Sequence, residues 1–235
     1  MSKFEIFFNI DIKNFKLNVF IIDTNSEDIL LTKDFKFDKY QYSNFLIIDK
    51  INNILKKLIL EIEKHLDASV SKINLMVEQE NSYNIELSIK TNFENKIIDK
   101  KNIEYLIQDL RQQLLTNNPD KKFIHILVKK CIVDSEEYNI IPIGNKCKNF
   151  IIDLSFIHIP KKLLNELERL FSEHQMFINK VICTNYAKTL IVTEFDNLSK
   201  AGLNIIKGSN INEIGVIPKK IKKIGFFEKL FHIFS

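Results

Sequence analysis

Glycine, arginine and cysteine are scarce in this chain of 235 residues, and each scarcity excludes something. There are 5 glycines, and none precedes Gly144. Phosphate cradles use glycines so that backbone N–H groups reach the oxygens without a side chain in the way. No such loop is expected before Gly144. Arginine occurs only at Arg111 and Arg169, so the planar fork that reads phosphate or guanine is nearly missing. The 3 cysteines, Cys131, Cys147 and Cys183, lie far apart with no Cys-x-x-Cys pair. An odd, dispersed set suits a reduced, cytoplasmic protein with structural thiols. No stretch approaches the ~20 apolar residues of a spanning helix. The opening apolar run is broken by Asn9 and Asp11 and lacks a small-residue cleavage site, so no signal peptide is expected.

What is present can build a core: 45% of the residues are hydrophobic, with many Ile and Phe. The net charge is +4, which equals in number the lysine cluster Lys219, Lys220, Lys222 and Lys223. The remainder is balanced, and a nucleic-acid partner is not expected. Catalytic patterns are also missing. There is no Gly-x-Ser-x-Gly, no Walker loop and no Cys/His dyad. Glu136-Glu137 reads as a solvated turn. His125 and His158 fall in strands that can pair, where a two-His site is conceivable, but no third ligand is evident and core positions are the better reading. No enzymatic activity and no metal site are expected.

The periodicity predicts strands at 4–12, 15–22 and 29–37, joined by a Lys13-Asn14 turn and a Thr24–Asp28 turn. A long helix follows at 43–66, with Ile47, Ile51, Ile54, Leu55, Leu58 and Ile62 on one face and Ser43 as its cap. Strands follow at 73–77 and 83–89. A helix starts at Asp99 with Ile103, Leu106, Ile107, Leu110 and Leu114 inward, and Asn117-Asn118-Pro119 stops it. Then come a strand at 123–133, a turn at 140–144, a strand at 150–159 and a helix after Pro160. A strand at 181–183 and a helix at 186–195 resume the first pattern. The expected fold class is α/β (α+β). Residues 1–94 and 176–196 form one lobe, 95–175 an inserted α+β subdomain, 197–217 a polar linker, and 218–235 an amphipathic helix.

In that last segment Ile224, Phe227, Leu230, Phe231 and Phe234 share one side of a helix, and Phe226 and Ile233 widen it. Lys229 lies opposite, and the four lysines precede the aromatic part. Docking on the protein's own core or in a partner's groove are two readings of such a helix. The Phe-dominated breadth of the face, the clustered lysines and the polar stretch before it favour a third, an anionic membrane surface.

The order of elements and several short stretches resemble the bacterial cell-division protein FtsA, of the actin/Hsp70-like superfamily. Phe8-Asn9-Ile10-Asp11-Ile12 looks like that family's first phosphate hairpin. Ile124 to Asp134, Ile141-Pro142-Ile143-Gly144 and Val181 to Ile191 resemble later steps of its first lobe, and the tail resembles its membrane-targeting helix, with Gly225-Phe226-Phe227. The resemblance implies a partial actin-like (ribonuclease H-like) lobe on the cytoplasmic face of the inner membrane. It also implies protein contacts through residues 95–175, with cell-division or other inner-membrane proteins. One tail is expected to bind reversibly, so stable recruitment is expected to need several copies, by self-association or docking on a membrane complex. The departures are chemical. The family's hairpin reads Gly-x-Asp-x-Gly-Thr, whereas here Asn9 stands for the first Gly and Lys13-Asn14 for Gly-Thr. Asp11 alone remains, as a vestige of the phosphate hairpin. The residues after 195 are expected to be too few for a second lobe, so ATP binding is not expected. A scaffold of the divisome is the first expectation. A pilus-assembly type of adaptor, or an actin-like ATPase completed by another chain, are the alternatives.

Overall fold

The computed structural model describes residues 3–38, 46–78, 84–193 and 197–214. The chain opens with a meander of three strands, β1 (Phe4–Asp11), β2 (Lys16–Asp23) and β3 (Ile29–Lys36). Both pairings are antiparallel, with Phe7 opposite Phe20 and Phe20 opposite Thr32. Helix α1 (Leu46–Leu66) then crosses over, as a parallel pairing requires. It delivers β4 (Lys72–Glu78) parallel to β1, and β9 (Phe177–Cys183) later adds parallel to β4. The sheet order is β3-β2-β1-β4-β9, and β2 alone runs against the others. That is the strand order of a ribonuclease H-like sheet, in keeping with the expected fold class.

The alternation of β1 explains the layers. Ile6, Phe8 and Ile10 face α1 and α3 (Lys161–Glu173), in a core with Ile51, Leu55, Leu58, Leu164, Leu167 and Phe171. Phe7 faces the other way, towards α4 (Thr184–Thr189) and α5 (Leu198–Lys207), with Met76, Ile182, Ala201, Leu203 and Ile205. A sheet apolar on both faces needs helices on both.

The second sheet is antiparallel throughout, in the order β5-β8-β6-β7. It comprises β5 (Asn84–Ile97), β6 (Lys121–Val133), β7 (Glu136–Tyr138) and β8 (Lys146–Pro160). Helix α2 (Lys100–Asn117) covers one face, burying Ile103, Ile107 and Leu114 against Phe123, Phe150, Ile152 and Phe156. Asp99 caps α2 by accepting from the Asn102 N–H at 2.8 Å. Asp134 and Ser135 both have positive φ, 46° and 85°, as a two-residue hairpin between β6 and β7 demands.

Two boundaries differ from the sequence expectation. The expected subdomain limits of 95 and 175 fall at 84 and 160 by sheet and core membership. Strand β5 pairs with β8 in the second sheet, and α3 packs on the first. The expected polar linker at 197–217 is in large part structured. Asn197 caps α5 by accepting from the Lys200 N–H at 3.0 Å, and Gly208, at φ 70°, ends it. Gly202 lets α5 lie on the sheet, because a Cβ there would come within 2.8 Å of the Phe7 ring. Ser43 and the whole membrane-binding set lie outside the described residues: Lys219, Lys220, Lys222, Lys223, Ile224, Phe226, Phe227, Lys229, Leu230, Phe231, Ile233 and Phe234.

Candidate functional site: a buried polar junction

Strand β6 carries His125 into the space between the two sheets, where its side chain is fully buried. A bulge at Ile124 sets the direction. Phe123 lies opposite His158 and His125 opposite Ile157, so the two histidines point to opposite faces. They do not form the two-His site weighed from sequence. His158 instead stands edge-on to the Phe123 ring at 5.9 Å, and burial, with the Lys121 charge, pulls its pKa down.

His125 is held from both sides. Its Nε2 accepts from the Cys183 backbone N–H at 3.0 Å, at the end of β9. That nitrogen therefore keeps its lone pair, and the ring proton sits on Nδ1. Nδ1–H donates to Glu213 Oε1 at 2.8 Å. Tyr186 of α4 donates its hydroxyl to Glu213 Oε2 at 2.8 Å and accepts from Asn210 Nδ2 at 2.8 Å. The His125 and Tyr186 rings lie 4.7 Å apart. Lys180 of β9 stands 3.9 Å from Glu213 Oε1 and donates to the Ile205 carbonyl at the end of α5.

The electrostatics follow from this geometry. Burial pushes the Glu213 carboxyl up, but the His125 and Tyr186 donors and the Lys180 charge outweigh it and leave the pKa below the ordinary value. Burial, with the neighbouring carboxylate, raises the Tyr186 phenol. Burial likewise raises the Cys183 thiol, and Cys131 is pushed up to about 11. These thiols are protonated at neutral pH and poor nucleophiles. Both His125 nitrogens are engaged within the protein, Nε2 by the Cys183 N–H and Nδ1–H by Glu213. The cluster is chemically a tie.

What it ties is the C-terminal segment. The Val128 N–H donates to the Asn212 carbonyl and the Ile214 N–H to the Ile126 carbonyl, so 212–214 runs antiparallel along β6. Glu213 thereby joins β6 of the second sheet, β9 and α4 of the first lobe, and the strap itself. None of this was read from the sequence. A lone Glu between Asn212 and Ile214 gives no sign of a histidine 88 positions earlier.

The one residue singled out at the hairpin, Asp11, holds the turn together. Asp11 accepts from the Asn14 N–H at 2.9 Å and from Asn14 Nδ2 at 2.8 Å, so its oxygens close the β1–β2 turn. Asn9, in place of the family's glycine, accepts from Thr184 Oγ1 at 2.7 Å and donates to Asn18. Among the described residues no group of three or more His, Cys, Asp or Glu side chains is placed to hold a metal ion. Also among them, no helix is long and apolar enough to cross a membrane. The Glu136-Glu137 pair is exposed at the β7 hairpin, with Tyr138 and Lys130 as partners.

No protein-family model matches the chain, and no curated protein matches its sequence. Several solved structures are similar in shape. A PilM-PilN type IV pilus biogenesis complex has a TM-score of 0.47 and 7% identity, over 80% of this chain and 48% of that one. The cytoplasmic domain of EpsL, an inner membrane component of the type II secretion system of Vibrio cholerae, has a TM-score of 0.39 and 8% identity, over 78% and 58%. A Bacteroides thetaiotaomicron protein with an actin-like ATPase fold and unknown function has a TM-score of 0.31 and 12% identity, over 80% and 55%. The chain spans roughly half the length of these solved chains.

Proposed function

We propose that this chain is a non-enzymatic adaptor, peripheral to the cytoplasmic face of the inner membrane. In this reading an actin-like body offers its second sheet to protein partners and holds out a basic, Phe-rich segment to anionic lipid. The observation that carries the proposal is the strap. Glu213 and the 212–214 pairing fix the last described residue, Ile214, on the rigid body, four positions before Pro218. Only residues 215–217 lie between Ile214 and Pro218, so a lipid-bound segment would keep the body within a few residues' reach of the surface. Each lysine near an anionic surface contributes about 1 kcal/mol, and the Phe face adds burial.

The hairpin supports the non-nucleotide half of the reading. The Asp11 carboxylate is engaged by Asn14, and the Asn9 side chain fills the place where a phosphate loop has none. Partners in this reading are inner-membrane proteins. The resemblance in sequence points to the divisome, while two structures similar in shape belong to a pilus biogenesis complex and a type II secretion component. Capture from cross-linked membranes separates these, since each assembly brings a different inner-membrane protein. The test of the adaptor reading is fractionation of cells carrying a tagged chain. Removal of 218–235 shifts it from the membrane to the soluble fraction, and an unchanged distribution refutes the proposal.

A further inference from the structure

The outer edge of β5 is the longest strand edge without a strand partner among the described residues. Its regular part runs from Asn84 to Asn92, where the register against β8 is unbroken. A bulge then follows, with Glu94 and Asn95 at positive φ, and ends the straight segment. The midpoint of 84–92 is Ser88. Along it Asn84, Glu86, Ser88, Lys90 and Asn92 are exposed, while Ile85, Leu87, Ile89 and Thr91 are half-buried towards α2.

A lone lysine on an edge strand ordinarily discourages pairing with another chain. Here Lys90 has its complement at the mirror position. Two copies of an antiparallel strand related by a two-fold axis must set some residue opposite itself. With Ser88 at that centre, Glu86 faces Lys90 of the second copy, and Lys90 faces its Glu86. Leu87 then faces Ile89, Ile85 faces Thr91, and Asn84 faces Asn92. A shift of the centre by one residue opposes Glu86 or Lys90 to Ser88, and a shift by two opposes Glu86 or Lys90 to itself. The register that pairs opposite charges also uses all nine positions from Asn84 to Asn92. Beside the same edge Tyr105 of α2 is 67% exposed, above a hollow of about 420 Å³ that Thr91, Asn92, Phe93 and Leu106 also line.

We propose that β5 is a homodimer edge: a second copy of this chain pairs antiparallel to it about a two-fold axis at Ser88. The two second sheets then form one continuous sheet, and Glu86 and Lys90 form two equivalent ion pairs across it. The dimer stands apart from the adaptor reading, since either can fail alone. Where both hold, two basic tails act together and membrane binding gains from their high effective concentration.

Sedimentation velocity of the full chain without lipid, over a dilution series, gives the dimer constant. Glu86→Lys and Lys90→Glu each oppose like charges at two symmetric places and raise the dimer Kd by about tenfold or more. The Glu86→Lys/Lys90→Glu double variant reverses both partners and returns the Kd to near that of the parent. Mild oxidation reads the register. Ser88→Cys joins to its own copy, and Asn84→Cys joins to Asn92→Cys in a mixture, while neither does so alone. A chain that stays monomeric, a dimer indifferent to the single reversals, or cross-links in another register overturns the proposal.

Discussion

Replacing Glu213 by alanine is the sharpest perturbation of the junction. The substitution removes the acceptor of two buried donors, the His125 Nδ1–H and the Tyr186 hydroxyl. His125 cannot escape by changing tautomer, because Nε2 must still accept from Cys183. The Tyr186 hydroxyl can rotate, but its neighbour Asn210 already donates to it. Each stranded buried donor costs about 1–3 kcal/mol, and the two share a partner, so about 2–4 kcal/mol is expected in all. Glu213→Gln keeps one acceptor oxygen for His125 and turns an NH₂ towards Tyr186, stranding only the phenol proton, and about 1 kcal/mol is expected. Urea unfolding followed by circular dichroism measures both, with the midpoint falling and the slope unchanged. Amide exchange adds location, since Val128 and Ile214 lose protection first if the strap is released. Equal, small effects of the two substitutions, under about 0.5 kcal/mol, refute the account of Glu213 as the knot.

The same carboxylate sets an acid limit. Its folded pKa lies below the ordinary value, so its contribution is present above the unfolded pKa and is lost as pH falls through the folded one. Unfolding midpoints measured across the acid range should show a drop in the parent protein that Glu213→Gln lacks. Gly202→Ala forces a Cβ onto Phe7, which is fully buried and stacked on Phe20 at 5.1 Å, so a loss of about 1–3 kcal/mol is expected in a thermal-shift measurement. Asp11→Ala removes both turn hydrogen bonds and costs about 1–3 kcal/mol, while titration with Mg²⁺-ATP gives the same null heat before and after. Cys131 and Cys183 should react slowly with iodoacetamide at neutral pH and rapidly once the chain is unfolded, as mass spectrometry would read.

The strand meander and α1 were legible because their signals are local. Apolar runs such as Phe4–Ile10 and the Ile47, Ile51, Leu55, Leu58 spacing fix element type without reference to the rest of the chain. Membership of a sheet is not local. Strand β5 alternates equally well for either sheet, and only its pairing with β8 assigns it to the second. Helix α5 was hidden by its shortness and by Ser199, Lys200 and Asn204, although Asn197 and Gly208 are ordinary start and stop residues. The Glu213 junction had no local signal at all, because its partners come from β6, β9 and α4. Asp11 is a different case. Its position in a familiar hairpin reads as a vestige of phosphate binding, while the bonds its oxygens accept, from the Asn14 N–H and side chain three positions on, are visible only in the folded turn.

The adaptor account rests most directly on whether residues 218–235 carry the folded body to lipid. Co-sedimentation with anionic vesicles, full chain against a chain ending at Ile217, measures this. The full chain should pellet with the vesicles, lose binding as salt rises, and bind neutral vesicles weakly, while the shortened chain stays in the supernatant. A Phe227→Asp/Phe231→Asp variant should behave as the shortened chain does. Equal pelleting of full and shortened chains contradicts the account.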